Sequence, residues 1–513
     1  MLSNLLRACL ATSLLAQPLH AGVIPVRRQA TSKTFTSTGN PILADGSIYS
    51  ADPAPLIVND TLYILSGRDA AGPTENGFVM NEWQIFEAKN PGGDWTLHQD
   101  VAQPEAIFSW ASAGTAYASQ IVQGADGKFY MYAPVTQASS SAKDPFAIGV
   151  AVSDSPLGPF KDAHPSGPII SQTVPSPGND IQNIDPTVMV DTDGKVYIYF
   201  GTFGYLKGYE LDKDMITIKG DVVDVDSLTG FFEAPWLMKR DDTYYMLYAA
   251  NNAGADSPCT PTSYHACLAY GTASSPLGPW TFQGVFLDIV SSTTSHPGAY
   301  KLSNGDWGLV YHTRDAEGGT HFRRSIAIDK LTWDDSAKPP AINKVVQTKR
   351  AAAAKEPTRN VAPKAVAASE GETPIQYWIK AINDERVEEA PLPPDYWSSY
   401  NAEQSPKEST LTLAWNATQE LNGAAMAFFA DQAAGSSVGV APPASWKLEY
   451  KDGTAWKAVD ATSYPTDVTD TPTEVKFTKV STTALRAVLT ASGSSTYAGV
   501  AVKEFFAYAP TAA

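Results

Sequence analysis

From about residue 35 to residue 340 the chain repeats one pattern: a short apolar run, a tight polar turn, and a second run rich in Tyr and β-branched residues. "SIYSADPAPLIVNDTLYILSG" (47–67) is one instance. Alternating runs of this length around Asn-Asp or Asp-Gly turns predict β-hairpins. Amphipathic helical periodicity is scarce across this region, which argues against an α/β fold.

The hairpin phrase recurs. It returns as "DPTVMVDTDGKVYIYFG" from Asp185, "EAPWLMKRDDTYYMLYAA" from Glu233 and "HPGAYKLSNGDWGLVYH" from His296. A weaker copy, "ASQIVQGADGKFYMYAP", starts at Ala118. A second phrase, "SPLGP", appears after Asp154 and again after Ser274, in the outer part of two units. Five copies at spacings of about 50–70 residues predict five four-stranded blades, a five-bladed β-propeller.

Alignment of the copies puts Asp52, Ala118, Asp185, Glu233 and His296 at the start of successive innermost strands. In a propeller those starts crowd one mouth of the central channel. Asp-Pro alone is a good turn starter. Three carboxylates in register are a different matter, because clustered like charges are costly unless chemistry uses them. Paired carboxyls across a pocket suit glycosidic cleavage, one protonated as acid and one ionised as base. A third beside the acid would raise its pKa and orient it.

Composition narrows the class. At 513 residues the chain exceeds one ordinary core, so more than one domain is expected. Twelve Trp and 23 Tyr suit sugar stacking and β-rich cores. A net charge of −17 disfavours nucleic-acid binding. The opening "MLSNLLRACLATSLLAQPLHA" has Arg7 beside a short apolar run, followed by small residues. It is too short to span a bilayer and reads as a signal peptide over residues 1–21, which makes the protein secreted and extracellular. Residues 22–37 read as an N-terminal extension with a dibasic site at Arg27-Arg28. No other stretch suits a membrane helix. In a secreted chain Cys259 and Cys267 are expected to form one disulfide. Asn59 and Asn416 head N-x-T sequons and are expected to be glycosylated.

Residues 38–335 resemble the glycoside hydrolase family 43 propellers, the arabinofuranosidases, β-xylosidases and arabinanases, on "SADPAPL", "NIDPTV" and "FFEAPWL". The resemblance implies that Asp52 is the general base, Asp185 the pKa modulator and orienting group, and Glu233 the general acid. It also implies inversion, with the Asp52 and Glu233 carboxyls separated by the roughly 6.5–9.5 Å that an intervening water requires. "GLVYHTRD" resembles the segment whose histidine lies near the channel axis and helps hold a calcium ion, so His312 is the metal candidate. No cofactor is otherwise required. "HFRRSIAIDKLTWD" resembles the strand that supplies a substrate-facing arginine. Arg324 fits, with Arg323 the alternative, since strand alternation turns only one inward. His296 is expected to contact substrate. Where many members carry Trp-Ala-Pro, this chain has "AYASQ" with "FSWAS" upstream, which makes Trp110 the stacking candidate. Fructoside-cleaving propellers expect an N-D-P-N-G opening and a Glu-Cys acid motif, and neither is present.

Residues 336–356 mix Pro, Ala and Lys and read as a linker. Residues 357–513 are strand-rich with regular turns, which predicts a β-sandwich, and resemble the discoidin-like, galactose-binding-type jelly rolls. Such a domain either binds carbohydrate or braces the enzyme; Trp397 and Trp415 are expected in its core. The resulting expectation is a monomeric, secreted enzyme acting on arabinoxylan, an α-L-arabinofuranosidase. The alternatives are an exo-β-1,4-xylosidase, then an endo-arabinanase, and a non-catalytic carbohydrate-binding propeller.

Overall fold

The computed structural model describes residues 31–511 apart from 178, 180, 251–256, 260–265, 350–358, 372, 375–376 and 389–390. The leader and Arg27-Arg28 lie outside the described residues. Blade 1 contains β1 (Ser32–Thr36), β2 (Tyr49–Val58), β3 (Thr61–Asp69), β4 (Met80–Ala88) and β5 (Asp94–Ala102). Blade 2 contains β6 (Gln120–Gln123), β7 (Phe129–Thr136), β8 (Phe146–Ser153) and β9 (Lys161–Asp162). Blade 3 contains β10 (Thr187–Val190), β11 (Val196–Phe200), β12 (Lys207–Leu211) and β13 (Ile218–Asp224). Blade 4 contains β14 (Phe231–Arg240), β15 (Thr243–Ala250), β16 (Cys267–Ala273) and β17 (Thr281–Leu287). Blade 5 contains β18 (Gly298–Lys301), β19 (Trp307–Thr313) and β20 (Ser325–Leu331).

Each blade is an antiparallel sheet in sequential strand order, apart from β1, which adds outside β5. The turns follow local chemistry. Asn59 and Asp60 join β2 to β3 with φ of 48° and 59°, the left-handed pair that a two-residue hairpin loop demands. The two SPLGP phrases join the third and fourth strands of blades 2 and 4, as their sequence positions suggested.

Five apolar clusters, one between each pair of neighbouring blades, build the ring. Leu65 and Trp83 of blade 1 pack with Met131 and Val135 of blade 2. Tyr132 and Val150 meet Ile198 and Phe200 between blades 2 and 3. Tyr199 meets Met246 and Trp280 between blades 3 and 4. Tyr245 and Leu247 meet Leu309 and Tyr311 between blades 4 and 5. Ile64 and Trp95 meet Val310 and Ile326, closing blade 5 on blade 1. Each large apolar side chain buried this way contributes about 1.5–3 kcal/mol. Closure has a polar component as well. The Ile42 and Ser50 amides donate to the Ile326 and Arg324 carbonyls at 2.9 and 2.8 Å, and Asn40 makes a reciprocal pair with the Ile328 backbone. The N-terminal stretch thereby lies along three-stranded blade 5. Gly298 is needed at this seam, because a Cβ there would sit 2.5 Å from Pro55 Cδ.

Two boundaries differ from the sequence pattern. β1 lies upstream of residue 38 and pairs with β5, so part of the expected N-terminal extension is blade 1. The first half of the expected linker is docked: Ala341–Ile342 pairs with Trp333–Asp334, the Val345 amide donates to Phe286 O, and Thr348 bonds Asp329. A proline-rich composition signals a connector but not whether its backbone finds partners.

The C-terminal domain is a β-sandwich built on the long strands Glu408–Phe429 and Val475–Ala491. Register shifts bend the first of these so that it pairs with several neighbours in turn. Trp397 and Trp415 are core residues, and the Trp415 indole donates to Val361 O. Cys259 and Cys267 form the expected disulfide, with Cα atoms 5.4 Å apart. Asn59 and Asn416 are exposed. Among the described residues no helix is long and apolar enough to cross a membrane.

Candidate active site

Four inner strands begin with a residue in the left-handed region directly before a proline: Asp52 (φ 56°), Asp185 (55°), Ala234 (57°) and His296 (36°). A non-glycine residue pays about 1–3 kcal/mol for such a backbone, and proline further disfavours the helical alternatives, so the kink is built in. It breaks the β2–β3 ladder between Ala51 and Ala54 and the β14–β15 ladder between Glu233 and Trp236. The kinked position in blade 4 is Ala234, so Glu233 stands one residue earlier than the aligned repeats imply. E-A-P has one residue more than D-P or H-P. Blade 2, with Ala118 before a serine, lacks the kink.

These kinks direct Asp52, Asp185, Glu233 and His296 into one cavity of about 720 Å³. That volume is in the range of small-ligand pockets. Asp52 is the most tightly held group. Its Oδ1 lies 2.9 Å from Arg324 Nη1, 3.3 Å from His312 Nδ1 and 3.6 Å from His296 Nδ1. Burial alone would raise its pKa. The guanidinium outweighs burial and holds the carboxyl well below the usual range. Arg324 is positioned in turn by Asp69, whose oxygens lie 2.8 and 2.9 Å from Nε and Nη2 and also accept the Arg324 amide at 2.8 Å.

The second pair behaves oppositely. Burial pushes Glu233 up, against hydrogen bonds from Thr202 and Thr294 and with help from the Asp52 charge. Thr202 Oγ1 donates to Glu233 Oε2 at 2.7 Å. Burial and the neighbouring Glu233 and Asp52 charges also drive Asp185 up. Asp185 Oδ2 accepts the Ala234 amide at 3.1 Å, which fixes the backbone beside Glu233 and lies 4.0 Å from His296 Nδ1. One guanidinium facing four buried carboxyls cannot keep them all ionised. The arrangement therefore provides an ionised carboxylate at Asp52 and a proton-holding pair at Asp185 and Glu233. Burial lowers His296 to about 4 despite Asp52, so its ring is neutral near neutral pH.

Of the sequence-predicted site residues, Arg324 and His296 reach the cavity, whereas His312 and Trp110 do not. Arg324, not Arg323, turns inward. Arg323 donates to Ala71 O and lies over the Tyr49 ring. Arg324 borders the cavity, but its guanidinium is committed to Asp52 and Asp69, so it supports the base more than it reaches for substrate. His312 is fully buried and does not line the cavity. Nδ1 accepts the Asp52 amide at 3.0 Å and Nε2 faces Thr293 Oγ1 at 2.8 Å. With both nitrogens engaged it does not fit a metal-ligand role, and among the described residues no group of three or more His, Cys, Asp or Glu is placed to hold a metal. Trp110 does not line the cavity either; it packs on Phe108 at 5.2 Å, and blade 2 instead contributes Tyr117, Ala118 and Phe146.

Sequence reasoning missed Asp69, Thr202, Phe78 and Phe203. Asp69 had a weak signal, a carboxylate ending the apolar strand "TLYILSGRD". Phe78 and Phe203 line the cavity while 48% and 63% exposed, and Phe203 has φ 55°. Solvent-facing aromatics at a pocket rim, one on a strained backbone, are binding surfaces rather than core.

A five-bladed propeller whose pocket favours one carboxyl as the base and another as the acid has the parts of a glycosidase. Residues 38–339 match Glycosyl hydrolases family 43, and the chain belongs to that family. A xylosidase/arabinosidase of Bacteroides ovatus is 30% identical over 331 residues, spanning 56% of this chain and 92% of that protein. A xylosidase/arabinosidase of Humicola insolens is 28% identical, spanning 57% and 96%. An arabinoxylan arabinofuranohydrolase of Bacillus subtilis is 28% identical, spanning 57% and 62%. Among solved structures, a beta-xylosidase/alpha-arabinofuranosidase from a compost microbial metagenome is similar with a TM-score of 0.49 and 26% identity, spanning 61% of this chain and 98% of that one.

Proposed function

We propose that this glycosidase is a secreted, inverting α-L-arabinofuranosidase that removes arabinose side chains from arabinoxylan, a hemicellulose. Asp52 and Glu233 facing one cavity, with their pKa values pushed in opposite directions, carry the mechanism. Asp52 takes a proton from a water as its oxygen attacks the anomeric carbon. Glu233 gives its proton to the departing glycosidic oxygen as the C–O bond breaks. The sugar leaves with the configuration opposite to the one it entered with. Asp185 positions Glu233 through the Ala234 amide, and burial with the Asp52 charge favours the proton on Glu233.

A cavity of this size suits a single terminal sugar more than a long chain, and a side-chain arabinose is such a unit. The relatives named for arabinoxylan and for arabinose favour the same substrate. The apolar leader supports secretion. An exo-β-xylosidase is the second reading, favoured by the relatives whose names pair both activities.

Product analysis on arabinoxylan, xylo-oligosaccharides and linear arabinan separates these readings. The expected first product is arabinose from the polymer, appearing as the β anomer by time-resolved NMR. Xylose as the only early product would establish the second reading, and an α anomer first would overturn inversion.

A further inference from the structure

The propeller does not close the cavity by itself. Pro393 and Pro394, in a single 3-10 turn (Pro393–Asp395) of the C-terminal domain, also line it. Their placement is tightly held. Arg314, just past β19 and two residues beyond His312, is buried at 2% exposure. Its Nη1 lies 2.5 Å from Asp395 Oδ1 and donates to Pro394 O at 3.4 Å, and its Nη2 lies 3.1 Å from Asp384 Oδ2. The guanidinium rests on the Trp378 ring at 4.8 Å. Asp395 Oδ2 also accepts the Leu392 amide at 3.0 Å, which locks the turn. Arg386 donates to the Arg314 and Gly319 carbonyls, and Lys380 to Ile289 O at 2.7 Å. The C-terminal domain thus grips the two propeller loops, near 289–296 and 314–324, that bring His296, His321 and Phe322 to the cavity.

We propose that Pro393 and Pro394 are specificity-determining residues, and that the C-terminal domain supplies a wall of the catalytic pocket on the blade 5 side. The inference rests on the glycosidase reading of that pocket. Proline has no N–H, and the Pro394 carbonyl faces Arg314, so this wall offers a sugar apolar ring faces. A buried arginine bound by two carboxylates keeps the wall from yielding. The wall therefore acts on the sugars next to the cleaved unit, and it limits how far a pentose oligomer, or a second branch on the same backbone unit, extends toward blade 5. The reacting atoms stay with Asp52 and Glu233.

Two full-length variants test this: Pro393→Gly/Pro394→Gly, which opens the wall, and Pro394→Trp, which thickens it. The readout is the ratio of kcat/KM on a branched arabinoxylo-oligosaccharide to kcat/KM on 4-nitrophenyl α-L-arabinofuranoside, with thermal midpoints measured in parallel. The ratio is expected to move in opposite directions in the two variants, by roughly fivefold to tenfold, chiefly through KM of the oligosaccharide. An unchanged ratio in both, with or without a lower midpoint, would overturn the proposal and leave the domain as a brace. Should the wild type cleave the xylose analogue instead, the arabinose reading fails and the same ratio is taken with 4-nitrophenyl β-D-xyloside and xylotriose.

Discussion

Arg324 stands between two carboxylates, with Nη1 2.9 Å from Asp52 Oδ1 and Nη2 2.9 Å from Asp69 Oδ1. Asp52 keeps its charge because Arg324 is beside it, and Arg324 stays there because Asp69 holds its other edge. A carboxyl with a lowered folded-state pKa is stabilising above its unfolded value and loses that contribution only as pH falls through the folded one. Asp52 is therefore ionised across the whole working range. Asp69→Asn should let Arg324 drift, lower kcat by about ten- to a hundredfold, and move the acid limb of the kcat/KM profile to higher pH. A fall in kcat with an unmoved acid limb would reduce Asp69 to a packing role.

The three cavity carboxyls should separate by leaving group. Asp52→Ala and Asp185→Ala should each lose on the order of a hundredfold or more in kcat on any substrate, with the fold intact by circular dichroism. Glu233→Ala should lose as much on arabinoxylan but far less on an aryl glycoside, whose phenolate leaves without a proton. Equal losses on both substrates would remove Glu233 from the acid role.

Thr202 supplies a hydrogen bond that favours ionised Glu233. In Thr202→Val the acid should hold its proton to higher pH, so the alkaline limb of kcat/KM should shift upward. A downward or absent shift would mean that Thr202 does not tune the acid.

Glu504, wholly buried in the C-terminal domain near Asp384 and Glu385, is pushed up to about 10, chiefly by burial and then by the Asp384 charge. The folded protein holds this proton while the unfolded chain releases it near pH 4.3, so stability falls as pH rises between those values, by at most about 1.4 kcal/mol per pH unit. Glu504→Gln keeps the shape without that penalty. Its thermal midpoint should match wild type near pH 4 and exceed it increasingly toward pH 8. A constant offset would show that ionisation of Glu504 is not linked to folding.

Cutting the chain after Thr348 should leave Arg314 without Asp384, Asp395 and Trp378. The cut frees the Arg314 guanidinium to water and removes the packing that this domain supplies; a single partner loss with the arginine still buried, as in Asp395→Ala, costs about 3–5 kcal/mol. The truncated propeller should melt at lower temperature and be less soluble. An unchanged midpoint would contradict the interface described above.

The blades were legible because they are local. An Asn-Asp turn selects a hairpin wherever it occurs, and alternation sorts the faces of each strand. Asp52, Asp185 and Glu233 were legible for a related reason: the first two sit at, and the third just before, a kink that a following proline writes into the chain. The one-residue offset of Glu233 was not, since it depends on which residue of E-A-P takes the left-handed backbone. Asp69 and Arg324 are 255 residues apart, and only closure of the ring brings them together. Ring closure also turned His312 from a metal candidate into a partner for the Asp52 amide, and left Trp110 packed on Phe108. Nothing in "PLPPDY" marks it as the edge of an active site. It becomes one because Arg314, 81 residues earlier, needs a buried carboxylate and Asp395 provides it. Such contacts depend on where whole blades and domains come to rest, and no short stretch of sequence contains that information.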